Sequence, residues 1–311
     1  MGKGTLKDLK EERLEEVLQY CNDHGESETC TQFSINIETL HRYMRERRWR
    51  DTKQPKILLI DIETAPIHGN FWQLGKQYIR ADQIEEDWFI FGWSAKWLLS
   101  DEMMSDFVTP KEAVKRDDKR IMVSIHKLVS EADVIIGHNV KKFDMPKLKT
   151  RFFLNGLKPP MPYQLLDTLS VAWKEFAFSS AKLNYLSKII LSKEKLKTEF
   201  ELWVKCEAGE QEALDYMEEY CRKDTELLEE VYIELRPWIS SHPNLPVIME
   251  AQEPACLNCG SFEFTEETGY YPTAQNRYEA VRCKHCGAIS HKKKSILTTN
   301  QRKVLLVPNA R

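Results

Sequence analysis

A short apolar run, Ile57-Leu58-Leu59-Ile60, ends in Asp61-Ile62-Glu63-Thr64, and this junction constrains the chain more than any other. The run reads as a strand bounded by polar residues. Side chains two residues apart on a strand point to the same face, so Asp61 and Glu63 share one spot. Clustered carboxylates repel one another and are tolerated mainly when cations sit between them. Hard oxygen ligands suit Mg²⁺ or Mn²⁺.

Composition breaks the 311-residue chain near Thr52-Lys53-Gln54-Pro55 and along Ser241 to Pro254. Three regions follow as expectations: 1–50, 55–245 and 250–311. The first reads as helical, with Leu14, Val17 and Leu18 at helical spacing in Leu6 to Tyr20. After Lys56 come strand-like runs at Ile57, at Phe89 to Trp97 and at Met103 to Val108. A helix is expected over Lys119 to Glu131, a strand at Val134-Ile135-Ile136, a helix from about Met145 and a strand at Gln164 to Leu166. The stretch Leu183 to Trp238 reads as mostly helical. Strands first, then β and α alternating around a mixed sheet flanked by helices, is an α/β layout of the ribonuclease H-like kind.

Two further acids fall where that sheet can gather them. Gly137-His138-Asn139-Val140-Lys141-Lys142-Phe143-Asp144 follows the second apolar strand as a loop. In Tyr220-Cys221-Arg222-Lys223-Asp224 a helical i, i+4 spacing puts phenol and carboxylate on one face. Singly, each acid reads as a surface charge. Together the three segments closely resemble the motifs of the DEDD superfamily of 3′-to-5′ exonucleases, over roughly Lys56 to Trp238. A Tyr four residues before the last Asp, with Glu219 where the other branch carries His, resembles the tyrosine branch. The resemblance implies two divalent ions, Mg²⁺ or Mn²⁺, held by Asp61, Glu63, Asp144 and Asp224. Asp61 would bridge the ions and Tyr220 would orient the attacking water. It also implies that Thr64 and Asn139 touch the terminal nucleotide, with Phe143 either packed near its base or in the core. Asp167-Thr168 and the run Lys182 to Leu186 match secondary positions, not catalytic ones.

Near the C-terminus, Cys256-Leu257-Asn258-Cys259-Gly260 and Cys283-Lys284-His285-Cys286-Gly287 are two CxxCG knuckles. Four thiolates so spaced favour one tetrahedral, structural Zn²⁺, with Gly supplying unusual backbone angles. Alternating residues between them resemble a zinc ribbon. From residue 281 onward there are lysines and arginines, including Lys292-Lys293-Lys294, and no Asp or Glu, which reads either as a docking surface or as a solvated tail. Cys206 and Cys221 read as small buried residues.

At the other end, Cys30 to Arg42 resembles a helix-turn-helix in which Asn36 caps the second helix and Ser34 stands at the usual turn Gly. Arg42, Arg45, Arg47, Arg48 and Arg50 would supply phosphate-binding charge. A helical protein-docking module is the alternative. Charge does not decide between them, because 45 Lys+Arg against 48 Asp+Glu leave a formal −3 with no global basic signature. No apolar stretch approaches a membrane span, and the chain is expected to be soluble and cytoplasmic. The expectation is a metal-dependent 3′-to-5′ exonuclease acting on single-stranded or frayed ends of DNA, with a virus-encoded replication, repair or recombination setting and a replication or repair protein as partner. An RNA-processing exoribonuclease and a catalytically silent nucleic-acid-binding regulator are the alternatives.

Overall fold

A computed structural model describes residues 11–51, 53–73, 75–265 and 269–306, with the side chains of 11–13, 15 and 45–51 left aside. The expected helix before Glu11 and the side chains of Arg45, Arg47, Arg48 and Arg50 lie outside what is described. Contacts divide the chain into two compact units, Met1–Gln54 with Pro246–Ala255, and Pro55–Leu245 with Cys256–Arg311. Among the described residues no helix is long and apolar enough to cross a membrane.

The first unit holds α1 (Glu11–His24), α2 (Glu26–Gln32) and α3 (Ile37–Asp51). Leu14, Val17 and Cys21 of α1 are buried with Leu40 and Tyr43 of α3. The i, i+3, i+4 spacing within each helix supplies that common stripe. Ser34, between α2 and α3, takes a left-handed φ of 52°. Asn36 Oδ1 accepts from the Thr39 amide at 2.7 Å, so a short polar side chain satisfies a donor at the start of α3.

The second unit opens with β1 (Ile57–Thr64), a small hairpin of β2 (His68–Gly69) and β3 (Ile84–Glu86), then β4 (Ile90–Trp97) and β5 (Met103–Phe107). Next come α4 (Pro110–Lys115), α5 (Lys119–Glu131), β6 (Val134–Gly137), α6 (Asp144–Leu154), β7 (Gln164–Asp167) and α7 (Thr168–Glu175). Then follow α8 (Leu183–Leu186), α9 (Phe200–Glu207) and the long α10 (Gln211–Leu235). The sheet order is β5-β4-β1-β6-β7. β1, β4 and β5 pair antiparallel, whereas β6 and β7 continue parallel to β1. This is the mixed sheet expected from the sequence, with β1 at its centre.

Pleating then decides what each face holds. Leu58, Ile60 and Ile62 of β1 join a core with Met122 and Ile125 of α5 and Met145 and Leu148 of α6. Asp61 lies opposite Ser94 of β4, whose hydroxyl donates to the Cys221 carbonyl of α10 at 2.8 Å. Hence Asp61 and Glu63 face α10. The apolar stripe of that helix includes Met217, Cys221, Leu228 and Val231, and Asp224 sits on the same stripe. The spacing that buries α10 therefore carries a carboxylate into the sheet.

Asp118, at the start of α5, is buried beneath the sheet and fully engaged. It accepts from Arg151 Nε and Nη2 at 2.6 and 2.7 Å, from Asn155 Nδ2 at 3.0 Å and from the Ile90 amide at 3.1 Å. Asp118→Ala leaves the largely buried Arg151 guanidinium without its anion, and such losses cost about 3–5 kcal/mol. A urea midpoint falling by the equivalent amount is the expected result. An unchanged midpoint would show that water replaces the carboxylate freely.

The cysteine segment has its own four-stranded sheet: β8 (Phe264–Thr265), β9 (Tyr270–Pro272), β10 (Arg277–Cys283) and β11 (Ile289–Ser295). This segment groups by contacts with the unit that holds the mixed sheet. Asn258 supplies a physical link, its Nδ2 donating to the Arg236 and Ile239 carbonyls at 2.7 and 3.1 Å.

Candidate active site

Three of the expected carboxylates converge. One oxygen each from Asp61, Glu63 and Asp224 fall within 4.8 Å of one another. The pairing of β1 with β4 slips between Glu63 and Thr64, from Gly92 to Ile90, which is a bulge at the mouth of the site. Asp144 lies outside that tight set because it begins α6, but it is near enough to push up the Asp61 and Glu63 carboxyls.

Desolvation is the largest influence on all four acids, and repulsion from the others adds to it at Asp61 and Glu63. Asp61 is raised well above the ordinary carboxylate range by burial, then by Asp224, Glu63 and Asp144. Glu63 is pushed up to about 8 by burial and by Asp224. Burial takes Asp144 to about 7, although its own amide and that of Ile62 donate to it. Asp224 is also raised by burial, and its Oδ1 is buried without a hydrogen-bond partner. An orphaned carboxylate oxygen among repelling acids is the donor set that a hard divalent cation satisfies. These residues fit such an ion.

Lys195 is a cation set against the cluster, and sequence reasoning missed it. Its ammonium pairs with Asp224 Oδ2 and lies 5.0 Å from the Tyr220 ring centre. Burial would lower Lys195, but the Asp224 carboxylate and Tyr220 outweigh it and hold the ammonium above its ordinary value. Burial, followed by Asp224, pushes the Tyr220 phenol up to about 12. The Lys195 amide donates to Asn184 Oδ1 at 3.1 Å, so the Lys182–Leu186 run anchors the loop that delivers the cation. Cys221 is buried as expected, with the addition that its Sγ lies 3.4 Å from Asp61 Oδ2.

The expected nucleotide contacts divide. Thr64 borders a cavity of about 520 Å³ that is also lined by Ile67, Trp88, Lys147, Phe200 and Trp203. Lys147 donates to Thr64 Oγ1 at 3.3 Å and sits 4.0 Å over the Trp88 ring and 5.0 Å from that of Phe143. Phe143 is exposed, not core. Neither Lys147 nor Trp88 was read from the sequence, though Lys147 lies three residues after Asp144 on α6, a spacing that shares a helix face. Asn139 takes a left-handed φ of 73°, and its amide donates to Asp167 Oδ1 at 3.0 Å. Asp167 also accepts from the Leu169 and Ser170 amides at 3.0 and 3.3 Å, so it caps α7 and pins the motif loop. His138 Nδ1 is 2.9 Å from Thr168 Oγ1, and burial lowers the imidazole to about 4, leaving it neutral. In the other unit, the Arg42 guanidinium lies 5.7 Å from the Tyr43 ring centre.

The second metal-type cluster joins Cys256, Cys259, Cys283 and Cys286, whose sulfurs all lie within 4.8 Å of one another. Cys256 and Cys286 are 3.6 Å apart and Cys259 and Cys283 3.5 Å, close to the roughly 3.8 Å edge of a tetrahedron with Zn–S bonds of about 2.3 Å. Both knuckles fold alike. The Gly260 and Gly287 amides donate to the Cys256 and Cys283 carbonyls at 2.9 and 3.0 Å, with φ of 76° and 80°. Those left-handed angles favour glycine at both places.

No curated protein matches the chain. A family model described as the RNase_H superfamily matches residues 58–236, which span β1 through α10 and take in every acid of the cluster. An RNase H-like domain of this kind fits a metal-dependent nuclease with a nucleic-acid substrate. The match covers more than half of the chain and coincides with the central mixed sheet, so the chain belongs to the RNase H superfamily.

Proposed function

We propose that this protein is a 3′-to-5′ exonuclease of the tyrosine branch that hydrolyses terminal phosphodiesters of DNA with two divalent metal ions. The observation that carries the reading is the convergence of Asp61, Glu63 and Asp224 around an unpartnered Asp224 oxygen, with Tyr220 one helical turn before it. Asp61, Glu63 and Asp224 would hold one ion, and Asp61 and Asp144 the second. When bound, Mg²⁺ or Mn²⁺ supplies Lewis acidity and acidified water for in-line hydrolysis.

The chain's own groups do the rest. Tyr220 keeps its proton at neutral pH, its pKa pushed up to about 12, so its hydroxyl positions water by hydrogen bonding and does not act as a base. Lys195 holds Asp224 and fixes Tyr220 beside it. The cavity edged by Thr64, Trp88 and Lys147 takes the terminal nucleotide, with a cation for its phosphate and rings for its base. The three-helix unit, in which α3 carries Arg42 and Arg45, favours DNA as the substrate, and the four-cysteine sheet would hold one structural Zn²⁺.

The test is a 5′-labelled strand with Mn²⁺. Single-stranded DNA should give a ladder shortening from the 3′ end, and Lys195→Met should slow it by about 10²–10³-fold in kcat, the usual cost of removing one preorganised charge. A ladder on RNA alone would move the substrate class. No shortening of any strand would overturn the reading.

A further inference from the structure

Between β1 and β3 the chain leaves the main sheet as an arm with a fastened base and a bare tip. His68 Nε2 lies 2.9 Å from Glu207 Oε2 on α9. The Asn70 amide donates to the Gln83 carbonyl at 2.9 Å, Gln83 Nε2 returns a bond to the Asn70 carbonyl at 3.0 Å, and Asn70 Nδ2 donates to Glu85 at 2.7 Å. Beyond that clasp Trp72 is 94 % exposed, Tyr78 88 % and Phe71 57 %. Rings of this size left bare on one arm, when the core has room for Trp93 and Phe91, mark a surface awaiting a partner.

Two observations say what the partner is. Residues 67 to 81 hold no Asp or Glu, but His68 pairs with Glu207 and Arg80 with Asp82, so among the described residues Lys76 is the cation left at the tip beside the rings. Bare rings around an unpaired cation suit an anionic chain that carries flat bases. The arm is also continuous with the site: Thr64, at the end of the strand bearing Asp61 and Glu63, and Ile67, at the arm's root, line the same cavity. A strand whose end occupies that cavity has the root of the arm beside it. Aromatic rings interleaved with cations stack successive bases of any sequence while the charges follow the phosphates. In a duplex the base faces are already covered by one another, so this surface distinguishes single strands.

We infer that the arm, through Trp72, Tyr78 and Phe71 with Lys76, is a stacking platform for single-stranded nucleic acid feeding the acid cluster. This rests on the exonuclease reading for its direction of travel, but the binding itself is measurable without turnover. Fluorescence anisotropy of a labelled oligothymidylate of roughly 15 nucleotides, a length within the usual single-strand site range, is read on the Asp61→Asn chain. Adding W72A and Y78A should weaken binding about 100-fold, roughly tenfold for each ring. Lys76→Ala should reduce the slope of log affinity against log salt by about one. Both rings are solvent-exposed, so thermal melting of the variant should match that of its parent.

Unchanged affinity in the W72A/Y78A chain overturns the inference, and it does so alone if the Asp61-intact protein still shortens DNA. Arm-dependent binding by a protein that cleaves nothing sinks the exonuclease reading and leaves the platform standing. Should the double substitution dissociate a dimer in sedimentation while oligonucleotide affinity holds, the rings cover a second copy of the chain and the inference fails.

Discussion

Asp61→Asn should lower nuclease activity by at least about 10³-fold and, in metal-free buffer, make the protein more stable at pH 8. The first effect follows because the central carboxylate of the cluster supports charge stabilisation worth several kcal/mol, and each 1.36 kcal/mol is tenfold in rate. The second follows from repulsion. Folded Glu63 titrates near 8 and folded Asp144 near 7, with Asp61 and Asp224 also raised, while the unfolded carboxyls titrate near 4. Between those limits the native state binds more protons than the unfolded state, so stability falls as pH rises through the window. Lys195 offsets only part of this: its charge lowers Asp61, Glu63 and Asp224, yet all three stay above the ordinary carboxylate range. The metal-free melting temperature should drop by roughly 5 °C from pH 5.5 to pH 8. Mn²⁺ should restore it at pH 8 and do much less at pH 5.5. In Asp61→Asn the pH slope should flatten, as read by differential scanning fluorimetry. An active Asp61→Asn enzyme, or a metal-free stability that rises across this window, contradicts the account.

The second large effect concerns the cysteine sheet. Its apolar interior amounts to Cys256, Cys283 and Ala288 with Phe264, Cys259 and Cys286 packed on them, too little to hold four short strands by burial alone. A structural Zn²⁺ contributes about 10–16 kcal/mol in comparable small modules. Cys283→Ser should therefore reduce zinc from about one per chain to nearly none by elemental analysis. Amides of β10 and β11 should lose their protection in hydrogen exchange, while β1 and β6 keep theirs. Full protection of β10 without metal would show that the sheet folds on its own packing.

What could be read from the sequence was what local spacing encodes. The apolar run ending in Asp61 and Glu63 fixed a strand and a face, and the i, i+4 relation of Tyr220 and Asp224 fixed a helix surface. The order of runs and periodic helices implied the mixed sheet. Contacts across long separations could not be read. Lys195 lies in a loop without periodicity, 29 residues before the acid it neutralises, and nothing local marks it. Asp118 and Arg151 are two ordinary charges in sequence and one buried pair in the fold. Asp144 was expected with the other three acids; starting a helix where its own amide turns back to it, the side chain stands just outside the tight set. The aromatic arm likewise reads as an ordinary polar loop until the exposure of Trp72 and Tyr78 is seen on the arm that follows β1.

The most direct measurement compares linear and circular single-stranded DNA of the same sequence with Mn²⁺ and the intact chain. The account predicts that the linear strand is reduced to mononucleotides from its 3′ end while the circle survives, and that Asp61→Asn spares both. Cleavage of the circle at a comparable rate, or survival of the linear strand, would contradict it.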